Sequence, residues 1–476
     1  MAEDIRHLSI KGIKWSAVDG FLTHGITFVV GLIIARILSP EDYGIVGMLA
    51  IFLAVSQVLV NSGFSTALIR MTERKEDDYT TAFFFNLIVG ITCYSILWLV
   101  APAISSFYEI PILTDVLRVF ALTLIISAIQ IVPRTKLVVA VDFKTQTFVD
   151  TITALVSGCT GIWMAYSGFG VWALVWQSII SSIVGVILLW IVTGWKPWKG
   201  RIRRSSFNWL FTFGSRLLAS SLLHILYKNI SALIIGKYYT PADLGFYSRG
   251  QHIAEVPSTF LSNVFQGVSF PILAKLQNDE EKLAKAYRKY LGMSSMVIFF
   301  LMISLATVAE PLVRILLTEK WIGAVPFIRI FCLALIFDHI CRFNNNMMFV
   351  KGRSDLFLKL EIIKKIIVFP ILLLAIPHGV IAICFVPVIH ELVDLIIGTF
   401  CVRKLLGIHY SNPLKDYGGY LILALLACTP AFFICYTHLS PFITLSSSFA
   451  LSFFIYFFLL WRDDNMKELI KLMKNH

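Results

Sequence analysis

Apolar residues in this chain occur in long uninterrupted runs rather than in alternation with polar ones. Two examples are "ITFVVGLIIA" (26–35) and "AFFFNLIVGITCYSILWLV" (82–100). Membrane β-barrels alternate lipid-facing and lumen-facing residues, so these runs exclude a barrel and predict helices. Because about 20 apolar residues cross about 30 Å of hydrocarbon, we expect fourteen spans, at 13–37, 44–68, 80–106, 113–133, 146–167, 171–193, 207–235, 245–272, 287–308, 322–343, 356–376, 379–402, 417–437 and 441–461.

The loops between these runs differ in charge from one side to the other. Those on the side of the N-terminus hold 28 Lys and Arg residues, and those on the opposite side hold four. Cytoplasmic loops carry such an excess, so we expect both termini in the cytoplasm. The net charge of +12 is then a signature of membrane topology, and no nucleic acid is predicted as a partner.

Composition agrees with a chain that lies in lipid. Hydrophobic residues make up 57% of the 476, charged residues 15%, and the mean hydropathy is +0.78, whereas soluble domains are about 25% charged. The eight cysteines are scattered through apolar runs without a C-x-x-C pair, and no P-loop motif occurs. The sequence therefore predicts no metal, no cofactor and no catalytic residues.

One turn sequence occurs twice. "ARILSPEDYGIVGML" (35–49) and "GKYYTPADLGFYSRG" (236–250) lie 201 residues apart, and they match at Pro40/Pro241, Asp42/Asp243 and Gly44/Gly245. Six spans return a chain to its starting side, so the repeat predicts two six-helix lobes of like orientation, related by a pseudo-two-fold axis along the membrane normal. The turn itself is typical of a tight hairpin with a capped helix.

The predicted fold is therefore an all-α polytopic membrane protein with two six-helix lobes and two further C-terminal helices. We expect the first lobe at 1–193, a basic cytoplasmic linker at 194–206 and the second lobe at 207–403. Spans thirteen and fourteen occupy 404–461, and an amphipathic cytoplasmic tail follows at 462–476.

Cationic residues within the predicted spans are the first candidates for a site. Charged groups at membrane depth are costly unless they contact water or a partner, and six cations are candidates for binding an anionic substrate: Arg216, Lys228, Arg249, Arg342, Lys364 and Lys365. A structural role is the alternative for most of them. Helical spacing allows Asp338 to pair with Arg342, and Glu361 with Lys364 or Lys365; Arg216 and Arg249 can extend towards a membrane surface.

Isolated carboxylates within spans are candidates for ion coupling. We place Asp19 and Glu255 in this group, because burial raises the proton affinity of a carboxylate; the alternative is a water-exposed position. Asp394 is a third candidate for ion coupling, although it has other polar residues beside it. The string "HELVD" (390–394) resembles a zinc protease motif but has Asp394 where the second His is required. We interpret it as a polar face of the twelfth span.

The segments "GIKWSAVDGF" (12–21), "ARILSPEDYGIVGM", "GFSTALIR" (63–70), "GFGVWALVWQ" (168–177) and "TPADLGFYSRG" (240–250) carry a family resemblance. The chain resembles the polysaccharide transporter (Wzx-type flippase) family of the multidrug/oligosaccharidyl-lipid/polysaccharide exporter superfamily, and in particular colanic-acid-type exporters.

The resemblance implies a bacterial inner-membrane protein that moves undecaprenyl-diphosphate-linked oligosaccharides to the outer leaflet through a hydrated cationic cavity. The implied partners are this lipid-linked substrate, membrane lipids, H+ or Na+ as coupling ion, and a glycan polymerase with its chain-length machinery.

Three alternatives stay open. A peptidoglycan-precursor flippase or a multidrug exporter would use the same scaffold, although a cationic drug favours a cleft dominated by carboxylates. A membrane-embedded glycan polymerase or ligase would need a large external catalytic region, whereas the longest predicted outer loop covers 309–321. Transport is therefore the favoured class.

Overall fold

The computed structural model describes residues 22–23, 25–61, 63–71, 73–407, 411–435, 440–463 and 465–467, and every regular element within them is helical. The chain divides into two compact units, with the boundary between Gly245 and Phe246. The first unit contains nine described helices: α1 (Gly25–Ile37), α2 (Pro40–Asn61), α3 (Phe64–Arg70), α4 (Glu76–Tyr108), α5 (Leu113–Phe120), α6 (Leu122–Val139), α7 (Phe143–Tyr166), α8 (Val171–Thr193) and α9 (Arg204–Tyr238).

Helix α10 (Pro241–Lys275) crosses the boundary between the units, and the helices after it belong to the second unit. These are α11 (Glu280–Thr307), α12 (Ala309–Leu316), α13 (Val325–Leu335), α14 (Asp338–Val350), α15 (Ser354–Ala375), α16 (Val380–Leu406), α17 (Ser411–Ile434) and α18 (Pro441–Leu460). In the second unit, α16 packs against α13, α14 and α15, and α11 packs along α17.

The prediction of a polytopic helical membrane protein is confirmed. Eleven helical segments of the described chain are long and apolar enough to cross a bilayer. The other three predicted spans coincide at least in part with α1, α10 and α15. Of these, α15 carries Lys359, Glu361, Lys364 and Lys365, which make it more polar than an ordinary span. The total of fourteen spans and the lobe symmetry stay predictions.

Several predicted spans are interrupted helices. The span predicted at 322–343 consists of a 3-10 turn (Glu319–Ala324) followed by α13 and α14. The span predicted at 113–133 is divided at Ala121 between α5 and α6. Hydropathy locates apolar segments but does not report such local breaks, because both halves of a broken helix remain apolar.

The predicted linker at 194–206 is held against the first turn of α4. Asp77 pairs with Arg203 at 2.5 Å and accepts a hydrogen bond from the backbone N–H of Arg201 at 2.8 Å. Glu76 accepts from the indole of Trp195 at 2.9 Å and pairs with Lys136 at 2.7 Å. Acidic residues at a helix N-terminus complement the helix dipole, and here they also fix the basic segment.

The two copies of the repeated turn use the same cap. Ser39 Oγ accepts from the N–H of Asp42 at 3.3 Å, while the Asp42 carboxylate accepts from the N–H of Ser39 at 3.0 Å. Thr240 and Asp243 make the equivalent bonds at 3.2 and 3.1 Å. This reciprocal arrangement is a capping box, so each turn ends one helix and starts the next in the same way.

The two turns also contact each other. A Cβ on Gly44 would lie 1.7 Å from the carbonyl oxygen of Pro241, and a Cβ on Gly245 would lie 2.0 Å from that of Pro40. Only glycine allows a backbone to approach this closely. The repeated glycines are therefore required by one reciprocal contact.

Candidate functional site

Lys228 lies on α9 in the first unit, and its side chain is exposed. Within the described part of the chain no carboxylate pairs with it. An ammonium group at membrane depth needs water or an anionic partner. Lys228 is thus an exposed cation that forms no ion pair with the described residues.

Arg249 is placed differently from Lys228. It lies on α10 in the second unit, is buried, and has its guanidinium 5.8 Å from the centre of the Trp321 ring. A guanidinium over an aromatic face is a stabilising cation–π arrangement, which is consistent with a structural role. The side chain of Arg216 is outside the described part of the chain.

Charged side chains from three helices of the second unit form what we call the ionic cluster. Its members are Asp338 and Arg342 of α14, Glu361, Lys364 and Lys365 of α15, and Glu391 and Asp394 of α16. It contains three cations and four carboxylates, so its positive charges are compensated within the cluster. The structure thus brings together four of the predicted residues, Arg342, Lys364, Lys365 and Asp394.

Lys364 is the centre of this cluster. Its side chain is 2% exposed, and its Nζ contacts Glu361 on its own helix and Asp394 on α16 at 2.9 Å. Lys365 is half-buried, with its Nζ 3.9 Å from Glu361. A buried ammonium is tolerated when two carboxylates replace its water shell. Lys364 therefore joins α15 to α16 and is itself closed to ligands.

Arg342 keeps more contact with the surroundings. Its Nε lies 2.7 Å from Asp338, one helical turn away, while its side chain remains 37% exposed. A guanidinium has five N–H donors, so the bond to Asp338 leaves others for a second partner. Arg342 and Lys365 are the accessible cations of the cluster.

The acidic side of the cluster contains groups that can hold a small cation or a proton. Donor atoms of Cys341, Glu391 and Asp394 all lie within 4.8 Å of one another. Asp394 is already paired with Lys364, and the Cys341 thiol donates to the backbone carbonyl of Glu391 at 3.7 Å. Glu391 Oε2 is buried with no hydrogen-bond partner in the described chain, which leaves one carboxylate oxygen open.

The other two predicted ion-coupling residues are not part of this cluster as described. Glu255 lies on α10 and accepts a hydrogen bond from Gln251 Nε2 at 2.7 Å, one turn away. Asp19 lies outside the described residues, so its role stays a prediction.

A cavity of about 400 Å³ opens between α10 and α14. Its polar lining consists of Asn263, Gln266 and Asn346, and Phe270 and Phe349 supply aromatic faces. Asn346 Nδ2 donates to Gln266 Oε1 at 3.4 Å, while Gln266 Nε2 is buried with no partner in the described chain. Amides beside aromatic rings suit sugars, because amides exchange hydrogen bonds with hydroxyls and rings pack on the C–H face.

Sequence reasoning missed this cavity because it followed charge. Asn263 and Gln266 are three residues apart and therefore share one face of α10. Together with "NNN" at 344–346 they were a visible signal. Neutral amides within an apolar segment are a weaker signal than charges, and nothing in one sequence indicates that α10 and α14 are neighbours.

Long apolar helices that enclose ion pairs and an amide-lined cavity define the class, a polytopic helical membrane protein with a polar interior. The fold is similar to that of a solved structure described as the lipid II flippase MurJ in an inward closed conformation, with a TM-score of 0.74 at 12% identity over 96% of this chain and 100% of that one. At this identity the likeness concerns the fold alone.

The chain belongs to the polysaccharide biosynthesis protein family, whose profile matches residues 33–326. It is 22% identical, over 86% of its length and 84% of the relative's, to the lipopolysaccharide biosynthesis protein WzxC of Escherichia coli strain K12. It is 23% identical to the teichuronic acid biosynthesis protein TuaB of Bacillus subtilis strain 168, over 73% and 72% of the two lengths. The family resemblance inferred from the sequence motifs is confirmed.

Proposed function

We propose that this protein is a flippase that moves undecaprenyl-diphosphate-linked oligosaccharide repeat units from the inner to the outer leaflet by alternating access. The observation that carries the proposal is membership of a polysaccharide biosynthesis family by a chain built of membrane helices. Such a substrate has a sugar head too polar for hydrocarbon and an anionic diphosphate. Its carrier needs polar groups for the sugars and accessible cations for the phosphates.

The amide-lined cavity supports the sugar part of this proposal. Asn263, Gln266 and Asn346 offer both donors and acceptors, and Phe270 and Phe349 offer apolar faces. We assign the sugar head to this cavity.

The diphosphate is assigned to cations that are accessible. Lys228 is exposed, and Arg342 and Lys365 are partly exposed. Charge-assisted hydrogen bonds to phosphate are about twice as strong as neutral ones. Lys364 contributes by holding Glu361 and Asp394 in place, and the side chains of Arg216 and Arg249 stay secondary candidates.

Coupling to an ion is assigned to the acidic side of the ionic cluster. Asp394 and Glu391 lie three residues apart on α16, and Glu391 retains an open oxygen. A proton or Na+ bound there would change the balance of charge around Lys364. Asp19 and Glu255 are the alternative coupling residues.

The test is deletion of the gene followed by complementation. We expect the deletion strain to lose its surface polysaccharide and to accumulate lipid-linked repeat units on the cytoplasmic side. Complementation with Lys228→Gln should lower surface polysaccharide about tenfold, because one charge-assisted phosphate contact is lost. The readouts are quantitative sugar analysis of the cell surface and mass spectrometry of extracted lipid-linked units.

Control variants distinguish a loss of substrate binding from a general effect of substitution on expression. Lys359→Gln, an exposed lysine of α15, and Gln277→Leu, an exposed residue beyond α10, should restore wild-type levels. Gln266→Leu should not. Accumulation of a peptidoglycan precursor instead of an oligosaccharide unit would contradict the proposed substrate, and full rescue by Lys228→Gln and Gln266→Leu would contradict the proposed residues.

A further inference from the structure

A second polar cavity lies in the second unit, at one end of α11 and α17. It has a volume of about 480 Å³ and is bordered by Lys285, Lys289 and Gly292 of α11, Lys415 and Gly419 of α17, and Asp463 after α18. Its lysines and Asp463 belong to the segments 273–289, 403–416 and 462–476, which the charge pattern predicts to be cytoplasmic. The cavity is thus at the predicted inner surface of the membrane.

The carboxylates of this cavity are already engaged. Asp416 binds Arg288 through both oxygens, at 2.6 and 2.7 Å. Asp463 accepts a hydrogen bond from the hydroxyl of Tyr420 at 3.0 Å and one from the N–H of Asn465 at 2.9 Å. Asp416 is therefore compensated by Arg288, whereas Asp463 keeps its negative charge, because its hydrogen-bond donors are neutral.

The described lining of the cavity has an excess of positive charge: its cations are Lys285, Arg288, Lys289 and Lys415, and its carboxylates are Asp416 and Asp463. Lys285 pairs with Glu281 at 2.6 Å, but both side chains are exposed, and such pairs exchange partners at little cost. Lys415 makes no ion pair within the described residues. Lys285, Lys289 and Gly292 follow at intervals of four and three, so they share one face of α11, and the two lysines place their charges on the face that lines the cavity.

An apolar surface continues from this cavity along α17. Gly419, Ile422 and Leu426 lie on one helical face, and Ile422 and Leu426 are 59% and 57% exposed. Phosphate recognition alone would not require such a surface. A lipid would use both parts, with its phosphate among the lysines and an acyl chain on the exposed apolar residues.

The geometry points to a binding site for the phosphate of an anionic phospholipid, formed by α11 and α17 in the inner leaflet. Basic pockets between membrane helices on the cytoplasmic side suit anionic headgroups, and lysine binds phosphate as a point charge. The site gives α17, which lies outside the two predicted lobes, a function of its own: it completes a lipid site that α11 alone does not form. It is independent of the transported substrate.

The test is lipid titration of the purified full-length protein in neutral detergent. We expect dioleoylphosphatidylglycerol to raise the Tm and dioleoylphosphatidylcholine to leave it unchanged, because binding to the folded state stabilises it. Lys289→Gln/Lys415→Gln should weaken the apparent affinity for phosphatidylglycerol about tenfold. Gly419→Leu should weaken it similarly without a change of charge, because its side chain would fill the cavity.

The chain offers a matched control for each variant. A Cβ on Gly418 or on Gly419 would meet nothing within 4 Å, but only Gly419 lines the cavity, so Gly418→Leu should bind like the wild type. Lys282→Gln/Lys359→Gln removes the same charge from exposed positions outside the cavity and should also bind normally. Equal losses in variants and controls would overturn the site in favour of general electrostatic attraction.

A separate titration distinguishes a lipid phosphate from a soluble phosphate as the ligand. Inorganic phosphate in phosphatidylcholine-containing micelles should leave the Tm unchanged. A rise in Tm that Gly419→Leu abolishes would overturn the lipid as the source of the phosphate. The site itself would be overturned if Gly419→Leu and Lys289→Gln/Lys415→Gln both bound phosphatidylglycerol with wild-type affinity.

Discussion

Lys364 is an ammonium group enclosed by protein, with two carboxylates in place of water. Its contacts to Glu361 and Asp394 make it part of the packing between α15 and α16. Removal of one partner from a buried ion pair lowers the stability of the folded protein by more than the intact pair contributes to it, because the remaining charge stays desolvated. We therefore expect substitution of Lys364 to lower the stability of the protein and substitution of the exposed Lys228 to leave it unchanged, although both are lysines within predicted spans.

We expect Lys364→Met to destabilise the protein by about 3–5 kcal/mol, since it leaves the buried Asp394 and the partly buried Glu361 with one partner fewer. Lys364→Met/Asp394→Asn should recover a large part of this loss, because the second change removes the unpaired charge. The measurement is the Tm of the purified variants in one detergent.

Lys228→Gln is the control, and it should stay within about 0.5 kcal/mol of the wild type, as expected for an exposed side chain without a partner. If Lys364→Met melted at the wild-type temperature, the ionic cluster would not contribute to the stability of the second unit.

Local pairing was predictable from the sequence and long-range pairing was not. Helical spacing predicts the pairs Asp338–Arg342 and Glu361–Lys364, and both are formed. Asp394 was predicted to lie on a polar face of its span and to be a candidate for ion coupling, but its contact with Lys364, thirty residues earlier in the chain, was not predicted. A single sequence contains helical periodicity but no information on which faces of separate helices meet.

At the scale of elements, the repeated turn was predicted as a capped hairpin, and the structure adds the contact between its two copies. The capping residues Ser39 and Asp42 follow from local chemistry. The need for glycine at 44 and 245 has a different origin, because it arises from the opposite turn. The duplication was visible in the sequence, but the mutual contact was not.

We expect Gly44→Ala to cost about 1–3 kcal/mol, the range of overpacking, because its Cβ would overlap the carbonyl oxygen of Pro241. Gly245→Ala should cost about as much through Pro40. The double variant should cost less than the sum of the two, because either change alone separates the same pair of turns. Thermal melting of the three variants tests this.

Gly25→Ala is the matched control, because a Cβ there meets nothing within 4 Å. It should be neutral or stabilising, since alanine favours helix by up to about 1 kcal/mol over glycine. Additive costs in the double variant would mean that the two glycines act separately.

At the scale of the whole molecule, the charge pattern predicts on which side each loop lies. Lys199 belongs to a segment expected in the cytoplasm, and Ser167 to a turn expected outside; both side chains are exposed. In a variant without the eight native cysteines, Ser167→Cys should react with a membrane-impermeant maleimide in intact cells. Lys199→Cys should react only after the membrane is opened.

The reverse labelling pattern would place the termini outside the cell. The chain would then lie in the membrane in the orientation opposite to the one on which the proposed transport depends. Reaction of both positions in intact cells would indicate that the segment between them does not cross the membrane as α8 (Val171–Thr193) is expected to do.

The contact between the repeated turns has a consequence for how the protein diversifies. Gly44 meets Pro241 and Gly245 meets Pro40, which is the isologous pairing that two identical subunits make around a two-fold axis. In a homodimer any mutation appears on both sides at once. Here each side is encoded separately, so Tyr43 and Leu244, at equivalent positions, already differ. The two turns can therefore diverge independently at every position except those that make the contact, Pro40, Gly44, Pro241 and Gly245.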